Sequence, residues 1–387
     1  MTVGIPKEIM HGENRVATTP ETVAQMVKDG YNVLFEKGAG EGAFFHDPAY
    51  IEAGATIVAD VAEIFKKSDV ILKVKEPLFN EAKGLHEVDM MHKGQYLITF
   101  IHPANPINHE MVKKMAKQGV ISITLDGVPR ISRAQSMDAL SSMSTCAGYK
   151  GIVMAADDIG KFMPLIGTAV GVIKPANVFV LGTGVAGLRA VATAKSLGAV
   201  VYSADIRPEA NEQAKSLGSK IIDTTVPASI GVAADGKHAN QLSEEWLVKE
   251  RAALADQVSK SDIIFCSALL QGRLAPTLIN EDMVKTMPVG SCIVDISIDQ
   301  GGNCSITPFG TKEVKHNVLI EGIKNIPGLL PTSSTWMFSK NIYNLLKFLT
   351  HDGKIVLDME DEIVTSTLVT INGEIVHSGA KQAMGIK

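Results

Sequence analysis

Three closely spaced glycines are the part of this sequence whose residue types most clearly indicate chemistry. Gly182, Gly184 and Gly187 form the pattern G-x-G-x-x-G, between the apolar run Val178–Leu181 and a helical pattern that begins at Leu188. In such a turn the first glycine allows a sharp bend, the second lets the backbone approach a pyrophosphate, and the third permits close packing of helix on strand. The free N–H groups at the helix start would face the phosphates. This segment predicts a dinucleotide-binding βα turn; a turn without a ligand is the alternative.

An acidic residue follows where a dinucleotide-binding fold needs one. The apolar run Val200–Ala204 ends at Asp205, roughly 20 residues after the last glycine. A carboxylate there can accept both ribose hydroxyl groups of NAD and would repel the 2′-phosphate of NADP. Arg207, two residues further on, is the only feature that could weaken this preference for NAD over NADP. The sequence therefore favours NAD(H) as cofactor. The remaining residues predicted to bind the cofactor are Thr183, Val185, Ala186, Ile206 and Leu269.

Length and composition limit the class of protein. The chain has 387 residues, more than a single hydrophobic core normally supports, which predicts two domains. Its 45% hydrophobic and 20% charged residues are typical of a soluble globular protein. The formal net charge of −5 and the lack of a basic run argue against a nucleic-acid partner.

The cysteines and the apolar runs indicate the compartment. The four cysteines have no C-x-x-C spacing, so we expect buried thiols in a reducing compartment and no metal site. They are Cys146, Cys266, Cys292 and Cys304. The N-terminal residues lack the pattern of a signal peptide, and the longest apolar run, Phe162–Ile173, is too short to span a membrane. We therefore expect a cytoplasmic location.

Apolar runs alternate with helical patterns in two regions, which predicts an α/β fold with two Rossmann-like, doubly wound parallel sheets. In the first region the predicted strands are Val3–Ile5, Tyr31–Phe35, Val70–Val74, Leu97–Ile101 and Ile121–Leu125. In the second they are Val178–Leu181, Val200–Ala204, Lys220–Ile222, Ile263–Cys266, Cys292–Ile296 and Val318–Ile320.

The last part of the chain is expected to return to the first domain. Ser334–Leu349 has helical periodicity, and Val364–Ile371 and Glu374–His377 flank Asn372-Gly373, a strong hairpin signal. We predict a discontinuous first domain, residues 1–140 plus 330–387, with this C-terminal helix and β-hairpin. Residues 141–329 are predicted to form the NAD(H)-binding domain.

Two segments depart from the alternation of strands and helices. Residues 127–150 begin with a polar stretch rich in hydrogen-bond donors and become helical at Ala147–Ala156. We expect a loop that leads into a helix between the domains. Thr224–Ser243 is rich in small and polar residues and lacks clear periodicity, which predicts a mobile surface loop.

The polar stretch and several other segments resemble one family. Arg130–Ser142, Ala147–Tyr149, Gly184–Leu188 and Asn325–Pro331 look like the soluble NAD(H)-binding (alpha-1) component of proton-translocating NAD(P) transhydrogenase. The likeness covers essentially the whole chain. It implies a homodimer held on the inner face of the cell membrane by its partners. These are a beta subunit that binds NADP(H) and exchanges hydride with this component, and a membrane-spanning subunit that couples the exchange to proton translocation.

The resemblance also implies a role for the polar loop. The positions that match the family's nicotinamide-holding residues are Arg130, Gln135, Asp138 and Ser141. Amide and carboxylate groups can hold a carboxamide, and direct hydride transfer needs aligned carbon atoms rather than an acid or a base. We therefore expect these residues to position the nicotinamide; a polar interdomain loop is the alternative. The family's mobile-loop tyrosine is missing from the tip Gly236–Ala239, which puts closure of that loop in question.

Four further positions resemble alanine dehydrogenase, which shares the fold. In that family an arginine and a lysine hold the substrate, and a histidine and an aspartate serve the chemistry. The matching residues are Arg15, Lys75, His102 and Asp299. A guanidinium can hold a carboxylate bidentately, and a histidine can carry a proton near neutral pH. The polar loop and the C-terminal region favour transhydrogenase, and we interpret the four residues as inherited. NAD-dependent alanine dehydrogenase and a cofactor-binding regulator without chemistry stay the alternatives.

Overall fold

The chain divides into two compact units. The computed structural model describes residues 1–233, 236, 238–270 and 274–386. The first unit consists of Met1–Met143 and Pro327–Lys387, and the second of Ser144–Ile326. Within the part of the chain that is described, no helix combines the length and hydropathy needed to cross a bilayer.

The first segment alternates strands and helices. Its strands are β1 Thr2–Ile5, β2 Asn32–Glu36, β3 Thr56–Val58, β4 Val70–Leu72, β5 Phe79–Asn80, β6 Leu85–His86, β7 Tyr96–Thr99 and β8 Ile121–Thr124. Its helices are α1 Pro20–Lys28, α2 Asp47–Glu52, α3 Val61–Lys67, α4 Glu87–Met90 and α5 His109–Gln118. Helix α6, Ala139–Asp158, contains the boundary between the units. The strands β1, β2, β3, β4, β7 and β8 pair in parallel.

The second unit contains a seven-stranded sheet. The strands of this sheet are β11 Asn177–Leu181, β12 Val200–Ala204, β13 Lys220–Ile221, β14 Ile263–Cys266, β15 Cys292–Asp295, β16 Lys312–Lys315 and β17 Val318–Glu321. The two strands before them, β9 Ile166–Thr168 and β10 Gly171–Ile173, form a separate hairpin. The helices of the second unit are α7 Val185–Ser196, α8 Pro208–Ser216, α9 Ala228–Gly231, α10 Glu244–Val258 and α11 Glu281–Val284. The order β13-β12-β11-β14-β15-β17-β16 places β12 and β14 on opposite sides of β11. The turn after β11 therefore lies at a switch point, where α/β sheets bind ligands.

The C-terminal segment completes the first unit. It consists of α12 Pro331–Leu349, β18 Thr350–His351, β19 Lys354–Ile355, α13 Glu362–Thr367, β20 Leu368–Ile371, β21 Glu374–Ile375 and α14 Ser378–Met384. The first sheet has the order β21-β20-β8-β7-β4-β1-β2-β3, with β20 antiparallel to β8. The hairpin turn predicted at Asn372-Gly373 is confirmed, and both residues have positive φ, 54° and 83°.

The predicted α/β class with parallel sheets is confirmed, and four details are corrected. The strand predicted for Val364–Ile371 begins as helix α13, because the carboxylate of Asp361 accepts a hydrogen bond of 2.8 Å from the N–H of Ile363 and caps a helical turn. The helix predicted at Ala147–Ala156 begins earlier, directly after Asp138. Prediction also missed two strands at sheet edges, β3 and the antiparallel β16.

The four cysteines are buried, as the sequence predicted, and none of them forms a disulfide. Burial raises the pKa of the Cys304 thiol to about 11, and burial also raises the pKa of Cys266 and Cys292 far above the ordinary thiol range. Each of these thiols is therefore protonated at neutral pH. No group of three or more histidine, cysteine, aspartate or glutamate side chains in the described ranges is placed to hold a metal ion.

Glu250 on α10 is a carboxyl group buried in the second unit. Burial and, next, the negative charge of Asp205 raise the pKa of Glu250 to about 7. The pKa in the folded state thus lies above the value of the unfolded chain. It follows that the stabilising contribution of Glu250 is fully present in acid and is lost as the pH rises through about 7.

We expect Glu250→Gln to change the pH dependence of stability. The substitution should increase the free energy of unfolding by about 2 kcal/mol at pH 8, where the wild-type carboxyl must ionise in a buried place, and have a small effect at pH 5. Urea unfolding at the two pH values measures this difference. Glu245→Gln, an exposed position on the same helix, is the control and should show no pH-dependent gain. An equal effect of Glu250→Gln at both pH values would contradict the assignment.

Candidate functional site

The glycine turn after β11 leaves space at one position and none at the other two. A Cβ added to Gly187 would lie 1.9 Å from the carbonyl oxygen of Gly182, and one added to Gly182 would lie 2.7 Å from the backbone of Ala268. Gly182 also has a φ of +80°, which favours glycine. At Gly184 the nearest atom to such a Cβ is 4.0 Å away, in the guanidinium of Arg207. The first and third glycines therefore permit the packing of the turn, and the second leaves its outer side open.

Helix α7 begins directly at this open side. Gly184 is its N-cap residue and supplies no side chain to bond the first N–H groups, and no acidic side chain lies in the first turn. Twelve residues of helix follow, so the amide dipoles add at this end. The exposed N-terminus at Val185 can accept the negative charge of a pyrophosphate. The turn thus fits the phosphates of a dinucleotide.

Asp205 lies at the carboxyl end of β12, and its two carboxylate oxygens already accept hydrogen bonds. Oδ2 accepts the backbone N–H of Thr183 at 2.8 Å and Nη2 of Arg207 at 2.8 Å. Oδ1 accepts the backbone N–H and the Nε of Arg207, both at 2.9 Å. The pairing with Asp205 raises the pKa of Arg207. The sequence analysis placed Asp205 correctly at the end of the strand. It missed that Arg207 donates hydrogen bonds to both oxygens of the Asp205 carboxylate.

The other predicted cofactor-binding residues lie near the carboxyl ends of β11, β12 and β14. Thr183 is buried in the turn and Ala186 is buried at the start of α7, whereas Leu269, which follows β14, is half exposed. Ile206, after β12, packs against Gly231, since a Cβ on Gly231 would lie 3.1 Å from Cβ of Ile206. These residues all come after the carboxyl ends of β11, β12 and β14, which are neighbours in the sheet, so they border one edge of it.

The segment Thr224–Ser243 has local structure. It contains helix α9 and an isolated bridge between Val232 and Ala239, and the Asn240 amide donates to the Val232 carbonyl at 3.0 Å. Lys237, at the tip that lacks the family's tyrosine, lies outside the described residues, as do residues 234 and 235. The mobility of this segment stays a prediction.

The polar loop of the first unit ends in a compact cap. Asp138 accepts hydrogen bonds from the backbone N–H of Ser141 at 2.9 Å and from its hydroxyl at 2.6 Å. This bonding starts helix α6, because a carboxylate satisfies the first free N–H groups of a helix. The structure thus brings Asp138 and Ser141 together. Arg130 and Gln135 are exposed, and the backbone carbonyl of Gln135 accepts the N–H of Asp138 at 3.3 Å.

Residues that the motif did not indicate anchor this loop. The Arg133 guanidinium forms two parallel bonds, of 2.7 and 2.9 Å, to the carboxylate of Asp361. The side-chain amides of Asn341 and Asn344 on α12 donate to the carbonyl of Ser136 at 3.0 and 3.1 Å. The loop is therefore fixed on either side of Gln135, whose amide is left to face solvent.

A histidine–aspartate pair lies at the carboxyl ends of β7 and β8. Nδ1 of His102 is 2.7 Å from Oδ1 of Asp126, and Oδ2 of Asp126 accepts the backbone N–H of His102 at 2.7 Å. These bonds hold His102 at a positive φ of 48°, which is costly for a residue other than glycine. Burial disfavours the charged imidazole, but the Asp126 carboxylate more than offsets it, so the pKa of His102 is raised. The sequence analysis named His102 as a candidate site residue but did not name Asp126 as its partner.

The other residues matched to alanine dehydrogenase are differently placed. Arg15 is buried, and its Nε and Nη2 donate to the two oxygens of Glu13 at 2.7 and 2.6 Å. An internal carboxylate therefore takes the place on Arg15 that a substrate carboxylate would need. Lys75 follows β4, near the histidine–aspartate pair in sheet order, and Asp299 belongs to the second unit, where it is exposed and 3.3 Å from Lys324.

Comparison with protein families and known proteins agrees with this geometry. The alanine dehydrogenase/PNT N-terminal domain model matches residues 4–147, and the corresponding C-terminal domain model matches residues 151–378. The chain therefore belongs to the alanine dehydrogenase/PNT family.

Within the family, transhydrogenase components resemble the chain more than alanine dehydrogenase does. The chain is 40% identical to the first segment of NAD(P) transhydrogenase subunit alpha of Rhodospirillum rubrum over 97% of this chain and 98% of that protein. A transhydrogenase structure from Sinorhizobium meliloti matches with a TM-score of 0.85 and 36% identity, covering 97% of this chain and all of the other. Alanine dehydrogenase of Staphylococcus saprophyticus is 32% identical over 100% of this chain and 97% of that protein. The predicted family is confirmed, and alanine dehydrogenase is the more distant relative.

Two glycine-to-alanine substitutions separate the packing of the glycine turn from its proposed binding of the cofactor. Gly187→Ala should destabilise the chain by about 3 kcal/mol or more, because its methyl group would overlap a backbone oxygen. Gly184→Ala should leave stability nearly unchanged, since its φ of −71° suits alanine, but weaken NADH binding at least about tenfold by filling the open side of the turn. Thermal unfolding and NADH fluorescence titration measure the two effects.

Gly160→Ala is the control for this pair, because a Cβ on Gly160 would meet no atom within 4 Å and its φ is not positive. It should alter neither stability nor binding. A Gly184→Ala protein that binds NADH like the wild type would contradict a pyrophosphate at this turn.

Proposed function

We propose that this chain is the NAD(H)-binding component of an NAD(P) transhydrogenase and exchanges hydride with NADP(H) held on a partner subunit. The observation that carries the proposal is the open glycine turn at the switch point of the second sheet, in a chain that is similar over nearly its whole length to transhydrogenase subunit alpha proteins. A glycine turn at a switch point is typical of dinucleotide-binding folds. The similarity to transhydrogenase subunit alpha proteins supports hydride exchange as the reaction of the bound dinucleotide.

In this proposal the residues of the chain bind and orient, and bound NADH supplies the hydride. The N–H groups at the start of α7 hold the pyrophosphate, and Asp205 recognises the adenosine ribose. The polar loop, with Arg130, Gln135, Asp138 and Ser141, positions the nicotinamide. Hydride transfer requires the two reacting carbons to be held close and in line, so accurate positioning accounts for the rate without an acid or a base.

The proposal includes partners. The names of the relatives as subunit alpha support a multi-subunit enzyme, in which a beta subunit binds NADP(H) and a membrane-spanning subunit couples hydride transfer to proton translocation. These subunits would hold the chain on the cytoplasmic face of the membrane. We also propose a homodimer. The hairpin of β9 and β10 supports it, because Val170 at its tip is 98% exposed and Val172 is 67% exposed, as expected of a surface that another chain covers.

Alanine dehydrogenase activity is the second candidate, and one observation favours it. The His102–Asp126 pair has the form of a general base oriented by a carboxylate, and hydride exchange does not need it. Against this activity, Glu13 occupies the guanidinium of Arg15 that would hold a substrate carboxylate. We therefore propose that these residues no longer serve alanine oxidation.

Shortening Gln135 tests the positioning role. Gln135→Asn keeps the amide but withdraws it by one methylene, so we expect the hydride-transfer rate to fall by about ten- to a hundredfold with little change in NADH affinity. The measurement is reduction of an NAD analogue by NADPH in a complex reconstituted with the NADP(H)-binding subunit. Gln382→Asn, an exposed glutamine on α14, is the control. An unchanged rate in Gln135→Asn would remove this residue from the proposed mechanism.

Incubation with L-alanine and NAD tests the second candidate. We expect no increase in absorbance at the NADH band, because the fork of Arg15 is bonded to Glu13. Glu13→Gln, which keeps the shape but removes the charge, shows whether that carboxylate is what blocks the site. Alanine-dependent turnover by the wild type would make Arg15, Lys75 and His102 an active site.

A further inference from the structure

The ion pair of Asp205 and Arg207 occupies the place where an adenosine ribose should bind. The Asp205 side chain is 5% exposed, and that of Arg207 is 23% exposed. The pair borders the phosphate turn, since Nη2 of Arg207 is 4.0 Å from where a Cβ on Gly184 would lie. A carboxylate has about four acceptor sites, and four N–H groups within 2.9 Å already use those of Asp205. Ribose hydroxyls can bond to it only if some of these donors leave.

Two of the four donors are fixed and two are removable. The N–H groups of Thr183 and Arg207 belong to the backbone, and Asn211 clamps the backbone of Asp205 by donating to its carbonyl at 2.7 Å and accepting its N–H at 3.1 Å. The Nε and Nη2 of Arg207 are carried by a long, flexible side chain. They donate one bond to each carboxylate oxygen, and the two hydroxyls of a ribose can donate the same pair of bonds.

We propose that Arg207 is an internal competitor for the ribose subsite: its guanidinium occupies Asp205 in the free chain and is exchanged for the ribose diol when NAD(H) binds. This inference rests on the proposed function, because it assumes that the turn binds a dinucleotide. The exchange conserves the number of hydrogen bonds to the carboxylate, so the diol adds little net affinity. Arg207 thereby limits how tightly the adenosine half is held, which suits a component that must release its cofactor after each hydride transfer.

The competition can be measured as a coupling between Arg207 and the ribose hydroxyls. The probes are AMP and 2′,3′-dideoxy-AMP, whose dissociation constants are determined by calorimetry for the wild type and for Arg207→Met. In the wild type the two constants should be similar. In Arg207→Met the diol bonds to a carboxylate that no guanidinium covers, and charged hydrogen bonds of this kind are worth roughly tenfold or more in affinity. The ratio of the dideoxy constant to the AMP constant should therefore rise about tenfold.

The control and a second variant keep the test decisive. Arg251→Met removes the same charge and also breaks a pairing with a glutamate, Glu244, on the same unit, and it should leave the ratio unchanged. Arg207→Lys keeps the positive charge but cannot donate to both carboxylate oxygens as the guanidinium does, so its ratio should lie between those of the wild type and Arg207→Met. If Arg207→Met does not fold, Arg207→Lys alone tests the inference.

Each outcome has a defined meaning. An unchanged ratio in both Arg207 variants shows that Arg207 does not compete, and a lower ratio shows that Arg207 itself holds the diol; either result overturns this inference while the proposed function stands. A wild-type chain that binds neither AMP nor NADH overturns the proposed function as well.

Discussion

Both units depend on parallel sheets that are buried on both faces. Strands β4, β14 and β15 are buried along their whole length, so they have no room for polar side chains except at their ends. The polar side chains that can bind a ligand or take part in a reaction therefore lie where the parallel strands end. Asp205 follows β12 in the second unit, and Lys75 and His102 follow β4 and β7 in the first. Burial of the sheets determines where a site can form, and the end residues determine what it can bind.

In the first unit, a buried lysine and two carboxylates stabilise the backbone at the carboxyl end of β4. Lys73, fully buried just after β4, is 2.9 Å from the Glu87 carboxylate and 3.3 Å from that of Glu8. The second oxygen of each carboxylate accepts a backbone N–H: Glu8 accepts that of Val74 at 2.5 Å, and Glu87 accepts that of Leu78 at 2.9 Å. Removing one member would leave a buried charge without compensation. The ion cluster thus determines the course of the chain through residues 73–78, which include Lys75.

The sequence was sufficient for the central parallel strands, the glycine turn and the acid after β12, because each of these follows from local periodicity or from a fixed spacing. It was not sufficient for the edge strands β3 and β16. It was insufficient for the pairings that decide what those residues can do. Three of the predicted groups are occupied by neighbours: Asp205 by Arg207, Arg15 by Glu13 and His102 by Asp126. A motif specifies the residue type at a strand end, but the donor that fills an acceptor depends on rotamers and on burial. Likewise, the β-branched residues of α13 predicted a strand, and a single capping carboxylate outweighed them.

The buried thiols have a practical meaning for labelling. A thiol must be exposed and ionised to react with maleimides or haloacetamides, and burial suppresses the thiolate of Cys266, Cys292 and Cys304, while Cys146 is likewise inaccessible. The folded chain therefore presents almost no native background to such reagents. A cysteine introduced at a chosen surface position would carry a fluorophore or spin label at that position, so distances within an assembled complex can be followed without first removing the native cysteines.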